Sequence, residues 1–230
     1  MKYLWTLFAG FLFGALLALT GLYFNPLTGK LGPLPESDIN SFTYTSPVSS
    51  ELVFVHGNRS RVPSYPAGVT SLWEETINKS ALSVVLLRGS DGTSAIASRV
   101  SYPSEETDLL RNGVLLTDDW VVSFPGQGSL FINAESNWWP FLKETLIPVW
   151  YLGRPWPGPS EFAPTVGPAN GVWAFVNGAT GRFAGLAGTA AERYSVQAFD
   201  ELVGPRQAVT EISWRLDEPV DTATTIAEAP

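Results

Sequence analysis

Cysteine is absent from the 230 residues. That excludes disulfides, thiolate nucleophiles and Cys-based zinc or iron–sulfur centres. Histidine occurs once, at His56, so a multi-histidine metal site cannot form. Basic residues are scarce and scattered: 14 Lys and Arg stand against 22 Asp and Glu, for a formal net charge of −8. Nucleic-acid binding needs a basic footprint for phosphate contacts, and no Lys/Arg cluster supplies one. No Gly-x-Ser-x-Gly elbow is present, and nothing else recommends a Ser–His–Asp triad. His56 follows Phe54-Val55 at a strand end and reads as solvated or structural rather than as a base. The acidic pairs Asp118-Asp119 and Glu105-Glu106 read as solvated turn charges, too isolated to build a metal site. No cofactor is implied.

What the chain has in quantity is apolar surface: 45% hydrophobic and 13% aromatic residues, with 9 Trp. That suffices for one folded domain of roughly 190 residues between flexible ends. Ahead of it, Leu4 to Phe24 carries no charge. At about 1.5 Å per residue a helix of that length spans ~31 Å, the thickness of a bilayer core. Tyr3 and Trp5 at one end and Tyr23 at the other match the headgroup zones. Lys2 precedes the run and Lys30 is the next basic residue, which places the N-terminus inside and the domain outside the cytoplasm. A cleaved signal peptide is the rival reading, which would make the domain secreted. The run is longer than such a segment needs, and Ala18-Leu19-Thr20 is a poor cleavage site. Gly10, Gly14 and Ala18 form a small-residue line that would allow two helices to approach in a homo-oligomer, although Gly and Ala are common in such helices.

The chain therefore divides into an anchor at 1–24, a linker at 25–45 broken by Pro26, Pro33 and Pro35, a domain at 46–217, and an acidic, disordered tail at 218–230, with residues 25–50 together supplying linker and entry strand. Within the domain, short runs with strand character recur between Gly/Pro turns. They are Leu52–His56, Leu82–Arg88, Ser94–Tyr102, Gly113–Thr117, Asp119–Phe124, Ser129–Asn133, Val172–Asn177, Gly188–Phe199 and Ala208–Leu216. Asp91-Gly92 marks a hairpin. This rhythm indicates an all-β sandwich or barrel. The Trp/Pro-rich stretch 137–168 interrupts it, beginning as a short helix from Trp139 to Leu146. Such an insert serves as a binding lid, as a plug over a barrel end or sheet edge, or as a membrane contact. Asn58-Arg59-Ser60 and Asn78-Lys79-Ser80 are glycosylation sequons, relevant only in a eukaryotic host.

Residues 176–190 hold the most specific pattern. Gly178, Gly181, Gly185 and Gly188 punctuate it, with Phe183 between them as a buried anchor. Glycines serve where φ must be positive, and Gly185 and Gly188 allow a bend or bulge in the following strand. The pattern resembles the late glycine-rich segment of the allene oxide cyclase and dirigent barrels, which precedes two long final strands. Asp119-Trp-Val-Val-Ser-Phe followed by Gly126-Gln-Gly-Ser-Leu-Phe fits the same families more loosely. The resemblance covers about the last 110 residues and describes shape, not chemistry. It implies an antiparallel eight-stranded barrel with a hydrophobic lumen, holding one apolar small molecule. Members steer the cyclisation or coupling of a reactive intermediate, or have no known reaction, and often form dimers or trimers. No catalytic residue of those families maps onto this chain, and the insert departs from their compact pattern. A lipocalin-like barrel is the alternative architecture.

Strand alternation nominates the lumen residues. In 188–199 the apolar face carries Ala190, Glu192, Tyr194 and Val196, which makes Glu192 a candidate proton donor with a raised pKa. Tyr194, Trp214, Trp120 and Phe124 are candidate ligand walls, although core packing is the simpler reading of Trp214, Trp120 and Phe124. Arg88 and Arg99 read as solvated at a strand end or outer face, with pairing to a lumen carboxylate as the other option. Two functions fit. One is a membrane-tethered barrel binding an apolar molecule and promoting its isomerisation or cyclisation through a dry, restraining pocket. The other is a non-catalytic envelope interaction module whose barrel is filled by its own side chains. The volume of the lumen discriminates between them.

Overall fold

The structure, a computed structural model, describes residues 2–24, 41–45, 53–56, 77–90, 92–169, 173–202 and 204–217. Helix α1 (Lys2–Tyr23) contains an apolar run, Trp5–Tyr23, long enough to cross a bilayer. The domain follows as β1 (Ser41–Thr45), β2 (Val53–His56), β3 (Ala81–Gly89), β4 (Ser94–Pro103), β5 (Leu115–Phe124) and β6 (Gly128–Asn137). A helical insert comes next: α2 (Trp139–Phe141), a π-helical turn (Leu142–Leu146) and α3 (Ile147–Trp150). The chain ends with β7 (Ser160–Phe162), β8 (Thr165–Gly167), β9 (Ala174–Ala179), β10 (Ala187–Asp200) and β11 (Gly204–Asp217).

The pairings run β1-β11-β10-β9-β6-β5-β4-β3, all antiparallel. They return to β1 through Tyr44–Gly89 and Thr45–Arg88. The circuit makes an eight-stranded barrel, as the family resemblance implied. β2 flanks β3, while β7 and β8 add short ladders to β10 and β6. The closing strand, β1, lies in the stretch expected to be linker, so the barrel begins at Ser41 rather than at 46. Most of the linker, the tail 218–230, Asp91, the sequon at Asn58 and the His56 side chain lie outside the described residues. Asn78-Lys79-Ser80 forms the turn into β3. The runs expected at 113–117 and 119–124 join into one strand, β5, because Asp118 continues the inward face instead of turning.

Alternation decides the interior. Asp118, Trp120, Val122 and Phe124 of β5 point inward, as do Leu130, Ile132, Ala134 and Ser136 of β6. Alanines at 95, 97, 134, 174 and 190 leave room for Trp120, Trp214, Phe124 and Phe183 in one core. Phe124 centres this aromatic group, 5.0 Å from Phe183 and 5.8 Å from Trp214 between ring centroids.

The glycine-rich segment closes one end of the barrel. Gly181 has φ +63°, and a Cβ there would stand 2.1 Å from the Gln127 carbonyl oxygen. Its absence lets the Gly181 turn clamp onto the β5–β6 turn. Arg182 N–H donates to the Gln127 carbonyl and Thr180 N–H to that of Ser129, both at 2.8 Å. Phe183 is buried below as the expected anchor. Gly188 acts differently from the bend expected of it. The irregularities in β10 fall between Val196 and Phe199, and what Gly188 permits is close approach, since a Cβ would meet the Arg215 carbonyl oxygen at 1.9 Å.

The insert covers the opposite end. Phe141, Phe162 and Val196 form a second core, with Trp138, Leu146, Trp156, Tyr194 and Phe199 packed around it. Pro148 lacks the N–H that an α-helix would direct at the Glu144 carbonyl. The chain widens there, and Ile147 N–H reaches back to Leu142 instead.

Gly188→Ala should lower the stability of the full chain by about 1–3 kcal/mol, the usual cost of forcing a backbone apart. Gly126→Ala, at φ +74° but facing open space, should cost about 1 kcal/mol through conformation alone. Urea denaturation of the detergent-solubilised chain checks this. Equal shifts would argue against the close approach.

Candidate functional site

The polar groups of the interior gather where the main core meets the insert. Arg99 lies on β4 opposite Trp120 of β5, on the same inward face as Ala95, Ala97 and Ser101. Its Nη1 donates to Glu192 Oε1 at 3.0 Å and Oε2 at 3.1 Å. The guanidinium carbon sits 4.7 Å from the Trp120 ring centroid and 5.7 Å from that of Trp138. A weakly hydrated planar cation can be held against aromatic faces in this way. Glu192 is 4% exposed, and its backbone N–H donates to Thr165 Oγ1 at 2.8 Å. β8, the strand carrying Thr165, belongs to the insert, so the insert helps fix the backbone beside Glu192.

One layer further along, Asp118 is 0% exposed and accepts hydrogen bonds from the Ser101 and Ser136 hydroxyls. Two buried carboxyl groups thus share an interior with one cation. Burial pushes the Glu192 carboxyl up to about 7, Arg99 opposes that rise, and Asp118 adds to it. Burial likewise raises the Tyr194 phenol, again opposed by Arg99. A carboxyl half-protonated near neutral pH beside a fixed cation can hold or release a proton. The space in front of it is small: the cavity bounded by Trp120, Ile132, Ala174 and Glu192 measures about 10 Å³. That is roughly the volume needed to seat one water.

The structure brings Glu192, Trp120, Phe124 and Trp214 into the barrel interior, with Trp120 nearest to Arg99 and Glu192. Tyr194 follows Glu192 on the same face but packs into the second core, 5.2 Å from Trp138 and 5.7 Å from Phe141 between ring centroids. Two sequence readings change. Asp118, expected in a solvated turn, is fully buried, while Asp119 stays outside, accepting from Asn133 and Tyr102. The parity of Trp120, Val122 and Phe124, extended by one step, would have placed Asp118 inside. Arg99, read as outward, is the lumen cation, and its parity with Ala95 and Ala97 carried the same signal. Ser101, Ser136 and Thr165 carried no signal beyond parity. Among the described residues no group of three or more His, Asp or Glu is placed to hold a metal ion.

No protein-family model matches the chain, and no curated protein matches it. Two solved structures are similar. The pterocarpan synthase dirigent protein PsPTS1 is 13% identical, with a TM-score of 0.37 over 78% of this chain and 94% of that one. The pterocarpan synthase dirigent protein GePTS1 is also 13% identical, with a TM-score of 0.36 over 76% and 86%. The architecture rests on the strand pairings themselves. The likeness to the allene oxide cyclases is one of glycine pattern.

The raised carboxyl makes stability depend on pH. Between Glu192's ordinary 4.5 and about 7 the folded chain binds more protons than the unfolded chain. The Glu192 contribution is fully present below 4.5 and is lost as pH rises through 7. Glu192→Gln should flatten that slope in denaturation midpoints measured from pH 4.5 to 7. At pH 7 the substitution should cost little stability, because a neutral amide stands in for the protonated carboxyl that the fold favours. An unchanged slope would place Glu192's proton outside the linkage.

Proposed function

We propose that this chain is a membrane-tethered, non-catalytic barrel that works through its outer surface, its lumen being filled by its own side chains. The single observation that carries this reading is the interior volume. A small-molecule site needs roughly 300 Å³ or more, and the space beside Glu192 is about 10 Å³. Trp120, Trp214, Phe124 and Phe183 occupy what would otherwise be the ligand's place. The outer face offers a surface to bind with. Ile96, Val100 and Tyr102 of β4, Phe131 of β6 and Phe175 of β9 are exposed on the outside of one continuous sheet. Exposed apolar side chains on one sheet face suit a protein–protein contact. In this reading α1 is an uncleaved anchor, the domain lies on the extracytoplasmic side, and the sheet face receives a partner protein or another copy of the chain.

One observation favours the rival reading, a barrel that binds an apolar small molecule and promotes its isomerisation or cyclisation. Arg99 Nε and the Trp138 indole N–H are buried with no acceptor among the described residues, close to a carboxyl that titrates near neutrality. Such donors suit a ligand carrying a carbonyl or hydroxyl.

Native mass spectrometry and organic extraction of the full chain from its own host separate the two. A clean protein mass supports the filled barrel, and a co-purifying apolar molecule overturns it. In the same vein, Trp214→Leu should open a cavity that takes up benzene-sized probes, whereas the unaltered chain should take up none. Uptake by the unaltered chain would count against a filled lumen.

A further inference from the structure

The membrane span meets the domain at one place. The Tyr23 hydroxyl donates to the Lys143 carbonyl in the insert at 3.4 Å, and Lys143 Nζ lies 5.8 Å from the Tyr23 ring centroid. Leu22 faces the 105–112 loop across an open groove of about 700 Å³. That loop packs on the start of the insert, with Asn137 Nδ2 donating to the Asn112 carbonyl and Trp138 N–H to that of Val114. The exit of the span, the 105–112 loop and the insert therefore share one end of the barrel. Two apolar pairs are exposed in these segments: Leu109 and Leu110, the latter 61% exposed, and Tyr151 and Leu152, the former 71% exposed.

We propose that this end of the barrel lies on the bilayer that α1 enters, with Leu109-Leu110 and Tyr151-Leu152 inserted at the headgroup level beside Tyr23. The inference rests on the anchor reading of α1. Its physical basis is continuity: a span held against the insert by Tyr23 brings the membrane plane to the segments that expose these side chains. Leu and Tyr gain by entering the interface, and Lys143 beside Tyr23 can keep its charge in water while its stem stays apolar. Glu105, Glu106 and Asp108 line the groove, so the attraction is apolar and not electrostatic. Zwitterionic phosphatidylcholine is accordingly a sufficient surface, and added salt should not release it.

The cysteine-free chain permits a direct test. Single cysteines at Leu110, Tyr151, Phe13 and Ala184, each carrying an environment-sensitive dye, are placed in the full chain in phosphatidylcholine nanodiscs. Ala184 is exposed beside the Gly181 turn at the opposite barrel end and serves as the aqueous control. Lipid-borne quenchers should act on positions 110 and 151 several-fold more strongly than on 184, with the same result at high salt. Quenching at 13 but only control-level quenching at 110 and 151 overturns the docking while leaving the anchor intact. Absence of quenching at 13 overturns the anchor, and the docking with it. Dyes at 110 and 151 shielded from water but not quenched by lipid would assign the face to a second copy and also overturn the proposal.

Discussion

A closed barrel gives its inward side chains a fixed volume, and the rest of this domain follows from how that volume is shared. Every circuit strand with described side chains contributes alternate residues to the interior, so no inward position can change size without a neighbour responding. The chain meets the constraint with contrast. Alanines at 95, 97, 134, 174 and 190 make room for two tryptophans and two phenylalanines. Ala190 stands directly opposite Trp214 in the β10–β11 ladder, where a larger residue would displace the indole. The glycines of the 176–190 segment serve the same end from outside, allowing two turns and two strands to approach closely enough to close the circuit.

The polar residues sit where that packing scheme ends. Beyond Trp120 the interior is no longer filled by aromatics of the barrel itself, and Arg99, Glu192 and Asp118 take over before the insert supplies its own aromatics. Burying two carboxyl groups with one guanidinium costs more desolvation than the attraction returns unless each oxygen is well placed. Here two hydroxyls serve Asp118, while Arg99 bridges both oxygens of Glu192 and rests on Trp120. The residual imbalance appears as the raised Glu192 carboxyl. That group joins the main core to the insert, through Arg99 on one side and the Thr165 contact on the other.

The insert has two neighbours. Its inner side forms the second core with β10, and Lys143 of its π-helical turn meets the end of the apolar helix α1. One segment can therefore relate the orientation of the barrel to the position of α1. The Pro148-induced widening shifts the register of the helical residues at that junction, which gives the π turn a geometric role.

By itself the sequence determined the features that depend on local pattern. An uncharged run the length of a bilayer core, period-two strands between Gly/Pro turns, and glycines around Phe183 each follow from neighbouring residues, so the apolar helix, the all-β class and the tight glycine turn were legible, while the choice of a barrel over a sandwich came from the family resemblance. The inward placement of Glu192 was legible too, since it needs only alternation within one strand. Tertiary structure alone decided which residues meet across strands. Arg99 and Glu192 are 93 positions apart, and Asp118 lies 17 and 18 positions from the two serines that satisfy it. Residues 25–50 read as linker and entry strand, but that Ser41–Thr45 closes the circuit between β11 and β3 is decided by their pairing. Whether Trp120 and Trp214 wall a cavity or fill it is likewise a property of the enclosed volume. That volume depends on barrel closure and on every inward side chain at once, and no single strand's pattern contains it.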